Sequence, residues 1–158
     1  MPEYEKFMEE AFCEAQKAFA NDEVPIGAVI VKNGEIIARG YNKIELEQNP
    51  IAHAEIVAIG EAAKKIGTWR LDGCELFVTL EPCVMCLGAI FQSRIRSVFY
   101  GAGDSRFGAI SNKNYIEIAK TAYMREPEIT GGVCEEKCKE LLQKFFKQIR
   151  TKNKTVRN

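Results

Sequence analysis

Histidine is almost missing from this chain: His53 is the only one in 158 residues. A site that needs two imidazoles is excluded. Long apolar runs are missing as well. No stretch approaches the roughly 20 residues of a membrane-spanning helix, so no membrane contact is expected. The first twenty residues read as an amphipathic helix and not as a signal peptide, which points to a cytoplasmic location. Cysteine is not scarce, at six. Without secretion features these suggest thiols or metal ligands, not a disulfide framework. Net charge is absent, since 22 basic residues balance 22 acidic ones, but the balance is uneven. Residues 141–158 hold six Lys or Arg and no acid, which leaves minus six on the rest. A basic arm on an acidic body suits a polyanion, although charge alone favours a solvated, frayed tail that aids solubility. No repeat, low-complexity segment or linker interrupts the chain, so one domain over residues 1–150 and a basic, disordered tail at 151–158 are expected.

The apolar positions of residues 4–19 recur at three- and four-residue steps, a helix with one buried face that ends near Asn21. "IGAVIV" (26–31) and "IIARGYN" (36–42) are strands joined by the Asn-Gly hairpin signal of "KNGE". "ELEQNP" (45–50) is a polar loop, and a second helix spans 52–66. "CELFVTL" (74–80) is a third strand, and Pro82 suits the first turn of a helix over 83–93. "SVFYGA" (97–102) is a fourth strand, 112–122 a helix, "EPEIT" (126–130) a short fifth strand, and 141–149 an amphipathic C-terminal helix. Alternating helix and strand after an opening hairpin predicts α/β: a mixed sheet of about five strands with helices on both faces, a three-layer α/β/α fold. Cys13 and Cys74 fall in helix and strand and are expected in the core. Trp69 reads as a packing residue, and Cys134 and Cys138 as half-buried thiols.

His53 lies in "AHAE" at the start of the second helix, with Glu55 two residues on. Cys83 and Cys86 lie in "PCVMC" at the start of the third. Both groups open a helix, so they are placed to converge at one edge of the sheet. Zinc takes Cys and His, and a catalytic site keeps one position open for water. A helix start favours the negative charge of two thiolates. Three ligands, with no second CxxC and no second His, fit an open catalytic site better than a closed structural one. Glu55 is then a proton carrier and not a ligand.

His53-x-Glu55 with Pro82-Cys83-x-x-Cys86 matches the signature of zinc-dependent nucleobase deaminases. The chain resembles the cytidine deaminase superfamily and, within it, the bacterial tRNA-specific adenosine deaminases. The likeness runs through "EVPIGAVIV" (23–31), "NPIAHAEI" (49–56), "LFVTLEPCVMC" (76–86) and "FF" (145–146). Val84-Met85 between the cysteines is more typical of that group than of guanine deaminases. The resemblance implies a cytidine deaminase-like fold and one zinc per chain on His53, Cys83 and Cys86, with Glu55 catalytic. It implies substrate contacts from Asn42, Ala54, Val24, Pro25 and Ile26, and a homodimer contact along "GAIFQSRI" (88–95). The implied reaction replaces the 6-amino group of adenosine by oxygen, giving inosine at the wobble position (34) of a tRNA anticodon loop. Phe145, Phe146, Lys147 and Arg150 would suit stacking and phosphate contact with RNA, although helical spacing also makes the phenylalanines core candidates. Downstream, Arg106 replaces the group's usual Lys, Asn112-Lys113 replace Gly-Ser, and "YMREPEIT" (123–130) stands where Asn-His-Arg is usual. This region shapes the substrate mouth in the family. Two alternatives stay open: a deaminase of a free base or nucleoside (guanine, adenosine or cytidine type), and a non-catalytic zinc-stabilised RNA-binding module.

Overall fold

Five strands form one mixed sheet in the order β2-β1-β3-β4-β5. A computed structural model describes residues 2–157, with side chains for all of these except Lys113 and residues 155–157. The elements in chain order are α1 (Glu3–Ala20), β1 (Gly27–Lys32), β2 (Glu35–Tyr41), α2 (Ile44–Glu47), α3 (Ala54–Ile66), β3 (Cys74–Leu80), α4 (Val84–Gln92), β4 (Ser97–Ala102), α5 (Lys113–Tyr123), β5 (Glu128–Thr130) and α6 (Glu135–Arg157). β1 pairs antiparallel with β2 and β3, while β3–β4 and β4–β5 are parallel. The β1–β2 turn carries Asn33 and Gly34 at φ 52° and 77°, the left-handed pair that a tight hairpin of this twist demands. A bulge interrupts β2: Ile30 faces Ala38 and Val31 faces Ile36, with Ile37 extra.

Both faces of the sheet are buried, as parallel strands require. Ala28, Ile30, Leu76, Val78 and Val98 pack with Ala54, Ala58 and Ala62 of α3 and Ile90 of α4. On the other face Val29, Val31 and Phe77 meet Met8 and Ala11 of α1. The α1 stripe Met8-Ala11-Ala15-Ala18 is fully buried, the i, i+3, i+4 pattern read from the sequence. The three-layer α/β/α architecture is therefore as expected.

Register decides where the site sits. Tyr41 at the end of β2 pairs with Gly27 at the start of β1, and Gly27 N–H donates to Thr79 Oγ1 at 3.1 Å near the end of β3. Leu80 pairs with Ala102 at the end of β4. One end of the sheet thus gathers residues 23–26, 42–43, 81–83 and 103 onward. Crevices outside the carboxyl ends of strands are where α/β sheets place ligands.

Four local expectations need correction. Residues 44–47 form α2, overlapping the expected loop 45–50, because a distant carboxylate binds amides of that turn (below). Residues 151–157 continue α6 to Arg157 where a disordered tail was expected at 151–158. No Pro or Gly interrupts residues 151–157, so nothing in the stretch breaks the helix that arrives from residue 150. Cys13 is exposed, because it falls between the Ala11 and Ala15 positions of the buried α1 stripe. Trp69 is 58% exposed, in the loop between α3 and β3, and is not packed in the core.

Candidate metal centre and substrate cavity

His53 and Cys83 are the N-cap residues of α3 and α4, both with extended backbone. Each side chain therefore stands at a helix mouth, where free N–H groups and the helix dipole favour negative charge. Cys86 follows one turn later and is fully buried. His53 Nδ1 lies 3.4 Å from Cys86 Sγ and 3.6 Å from Cys83 Sγ. All three ligand atoms lie within 4.8 Å of one another. A tetrahedral zinc with ordinary Zn–N and Zn–S lengths holds N and S about 3.6 Å apart, so the donor set and spacing fit that metal. Among the described residues this is the one group of three or more His, Cys, Asp or Glu side chains so placed.

The three side chains share their protons. The hydrogen bond with Cys86, followed by that with His53, holds the Cys83 thiol down at about 4. Its contact with Cys83, reinforced by burial, pushes the Cys86 thiol up. The hydrogen bond to Cys83 raises His53 above its usual value. A cation entering the trio replaces these shared protons. Glu55 is 4% exposed, and burial raises its carboxyl above the usual carboxylate range. A carboxyl so poised takes and returns protons nearer neutral pH.

The other expected site residues fall into two groups. Val24–Ile26 and Asn42 are joined by hydrogen bonds, and Ala54 directly follows His53. Asn42 Nδ2 donates to the Val24 carbonyl at 3.3 Å, and Asn42 N–H donates to the Ile26 carbonyl at 3.1 Å. Lys43 N–H donates to the Ala52 carbonyl at 2.9 Å, next to His53. Ala54 opens α3, fully buried. The C-terminal group divides. Phe146 (45% exposed) and Arg150 line a groove of about 710 Å³ that reaches Asp104 and Tyr100. Phe145 is only 5% exposed and meets Phe19 edge-on, so the core reading holds for it. Lys147 is exposed but outside the groove lining.

Three buried carboxylates were missed in the sequence: Glu14 on α1, and two that hold the loops around the site. Glu23, 2% exposed, accepts from Glu45 N–H at 2.9 Å and Leu46 N–H at 3.4 Å. It thereby ties α2 to the Val24–Ile26 segment. Glu81, 4% exposed, accepts from the N–H groups of Asp104, Ile110 and Ser111. The available signal was an acid directly before an apolar or proline-led turn, where a solvated side chain is the ordinary assumption. A cavity of about 590 Å³ opens beside Cys83 and Val84, walled by residues 105–108 and the start of α5. Asn112, one of the departures from the resembled pattern, caps α5 by accepting from Asn114 N–H at 3.1 Å. The 123–130 departure lies elsewhere in the chain: the Arg125 guanidinium donates to the Phe91 carbonyl at the far end of α4 from the ligands. Within this chain, residues 104–112 shape the cavity and 123–130 brace a helix end.

A His/Cys/Cys group able to hold a metal, with a buried glutamate two residues from the histidine and at the end of a mixed α/β sheet, matches the signature of a deaminase-type hydrolytic centre. The comparisons agree. The MafB19-like deaminase family model matches residues 3–150. A tRNA-specific adenosine deaminase of Bacillus subtilis (strain 168) is 48% identical over 157 residues, covering 99% of this chain and 97% of that protein. A structure from work on A-to-I editing by tRNA:A34 deaminases at the wobble position is 41% identical, with a TM-score of 0.81, over 86% of this chain and 98% of that one. A guanine deaminase from Nitrosomonas europaea is 27% identical at a TM-score of 0.77, over 89% and 83% of the two chains. The chain belongs to the deaminase family of the tRNA-specific adenosine deaminases.

Proposed function

We propose that the protein hydrolytically deaminates adenosine to inosine at the wobble position of a tRNA anticodon loop. The observation that carries this reading is His53, Cys83 and Cys86 within 4.8 Å of one another, with the buried carboxyl of Glu55 two residues from His53. The near full-length likeness to a tRNA-specific enzyme supports the substrate. Zinc, when bound, supplies an electrophilic centre that makes water acidic near neutral pH.

The chain's own groups do the rest. Val24, Pro25 and Ile26 form one wall for the base, and Asn42, fixed through its bonds to Val24 and Ile26, offers its amide to the nucleoside. The N–H of Ala54, at the open start of α3, faces the base edge. Glu55 takes a proton from the attacking water as its oxygen bonds to C6 and passes that proton to N1 of adenine; it then moves the remaining hydroxyl proton to the 6-amino group, the C6–N bond breaks, and the amine leaves as ammonia. The raised carboxyl pKa suits both transfers. A loop nucleotide is already unpaired and enters such a pocket cheaply. Phe146 and Arg150 extend the surface toward the flanking RNA.

The assembly belongs to the same proposal: a cytoplasmic homodimer joined along α4 and the residues that follow it (88–95). Support comes from Gly88, where an added Cβ would meet nothing within 4 Å, and from Val84, 54% exposed on the same helix. A parallel assay tests the substrate: an anticodon stem-loop bearing a wobble adenosine against free guanine, adenosine and cytidine. Conversion of the stem-loop to inosine is expected. Turnover of free guanine alone would replace this reading with the small-substrate one, and metal binding without turnover of any of them would leave a non-catalytic RNA-binding module.

A further inference from the structure

Glu81 immediately precedes the Pro82–Cys83 turn, yet it is neither ligand nor proton carrier. It is 4% exposed, and both its oxygens are spent on one loop. Oε1 accepts from Asp104 N–H at 3.2 Å. Oε2 accepts from Ile110 N–H at 3.0 Å, Ser111 N–H at 2.9 Å and Ser111 Oγ–H at 2.8 Å. The main chain of the two segments is joined too. Ala109 N–H donates to the Pro82 carbonyl at 2.9 Å, and Cys83 forms a β-bridge with Gly108. The approach is so close that a Cβ on Gly108 would fall 2.3 Å from Glu81 Oε2.

The chain of contacts continues outward. Asp104, held by Glu81, accepts through Oδ1 from Arg106 N–H and Phe107 N–H, both at 3.0 Å. The tip so fixed presents Phe107, 62% exposed, with the Arg106 guanidinium 4.8 Å from its ring centre. Both side chains line the cavity beside Cys83. An exposed aromatic ring is costly to leave in water, and an arginine plane beside it is the pair on which unpaired bases stack.

We propose that Glu81 is a positioning residue for substrate: it locks loop 103–111 onto the metal-bearing turn so that Phe107 and Arg106 form a stacking platform for a nucleotide neighbouring the target base. The inference rests on the RNA reading above. Glu81→Gln keeps the side chain's shape but turns one acceptor oxygen into a donor facing amide donors.

The test uses the full metal-loaded chain and the anticodon stem-loop RNA. In Glu81→Gln, KM for the RNA is expected to rise about tenfold or more, the scale of losing hydrogen bonds to a charged group. The loss falls on KM, not kcat, and metal content is unchanged. In Phe107→Ala, KM rises by about fivefold to a hundredfold, the range for one stacked base. The double variant is less than additive, because Glu81 acts through the platform. Independently of any substrate, hydrogen exchange at the Ile110 and Ser111 amides accelerates at least about tenfold in Glu81→Gln while β3 amides hold. Unchanged exchange, strict additivity, or loss of metal and kcat with KM unmoved would each overturn the proposal. A wild-type chain that leaves the stem-loop unconverted would sink the wobble reading, while the exchange result still decides the clamp.

Discussion

The floor of the site and its walls are held by different means. The floor consists of three proposed ligands on two helix starts, backed by a layer of alanines and β-branched residues with essentially no exposure. Its geometry follows from rigid elements whose ends the sheet brings together. The walls, residues 23–26 with 42–46 on one side and 103–111 on the other, are irregular backbone apart from the single turn of α2. Each is held by one buried carboxylate: Glu23 accepts amide protons from Glu45 and Leu46 of α2, and Glu81 from Asp104, Ile110 and Ser111. Irregular segments cannot pair their own N–H groups, so an acid from a neighbouring segment must. Under the proposed function, chemistry belongs to the floor and selection to the walls, and the two are separable by substitution.

The sharpest separation is expected at Glu55. Glu55→Ala should keep about one zinc per chain and lose about 10²–10⁴-fold or more in turnover, since it removes proton transfer without touching a ligand. Retained activity, measured alongside metal content, would take Glu55 out of the proton-carrying role. Stripping the metal with a chelator should likewise abolish turnover, yet leave the Ile110 and Ser111 amides slow to exchange; rapid exchange there would mean that floor and wall are one unit. Glu23→Gln should act on the opposite side of the comparison. We expect a fall of about 1.5–3 kcal/mol in unfolding free energy from the weakened charged hydrogen bonds, together with a raised KM and intact metal. A KM equal to the wild type's would show that this wall does not touch substrate.

Smaller effects concern the periphery. Deleting residues 147–158 should weaken RNA binding and flatten its salt dependence by about one unit of slope for each phosphate that the arm neutralises. An unaltered salt slope would return the arm to a solvated helix end. Last, Cys13 should alkylate readily in the native protein. Cys138, which burial pushes up to about 12, should resist, and equal labelling by mass spectrometry would contradict the packing of α6.

Where the sequence was legible, physical periodicity made it so. Strands β3 and β4 have the limits their apolar runs suggest, and the ligands stand out because His, Cys and Cys at helix starts carry specific chemistry. Glu23 and Glu81 were not legible. A carboxylate's partner is set by tertiary approach: Glu23 meets amides 22 and 23 positions away, and Glu81 meets amides up to 30 away. No local pattern encodes such a pairing. Cys13 failed differently, since its helix was read correctly but its place on the helix's circumference was not. The two phenylalanines of α6 show the same limit. Adjacent residues point about 100° apart, which sends Phe145 inward and leaves Phe146 out.

The two borders of the sheet have a consequence for life at high concentration. A straight, unpaired strand invites another chain to add itself. Here one border strand, β5, is three residues long. The other, β2, is kinked by its extra residue at Ile37 and carries Arg39, which is engaged by Glu10 and Glu14 of α1. Neither border offers a template, so a chain with no net charge to keep its copies apart is protected from strand-to-strand clumping by the shape of its margins.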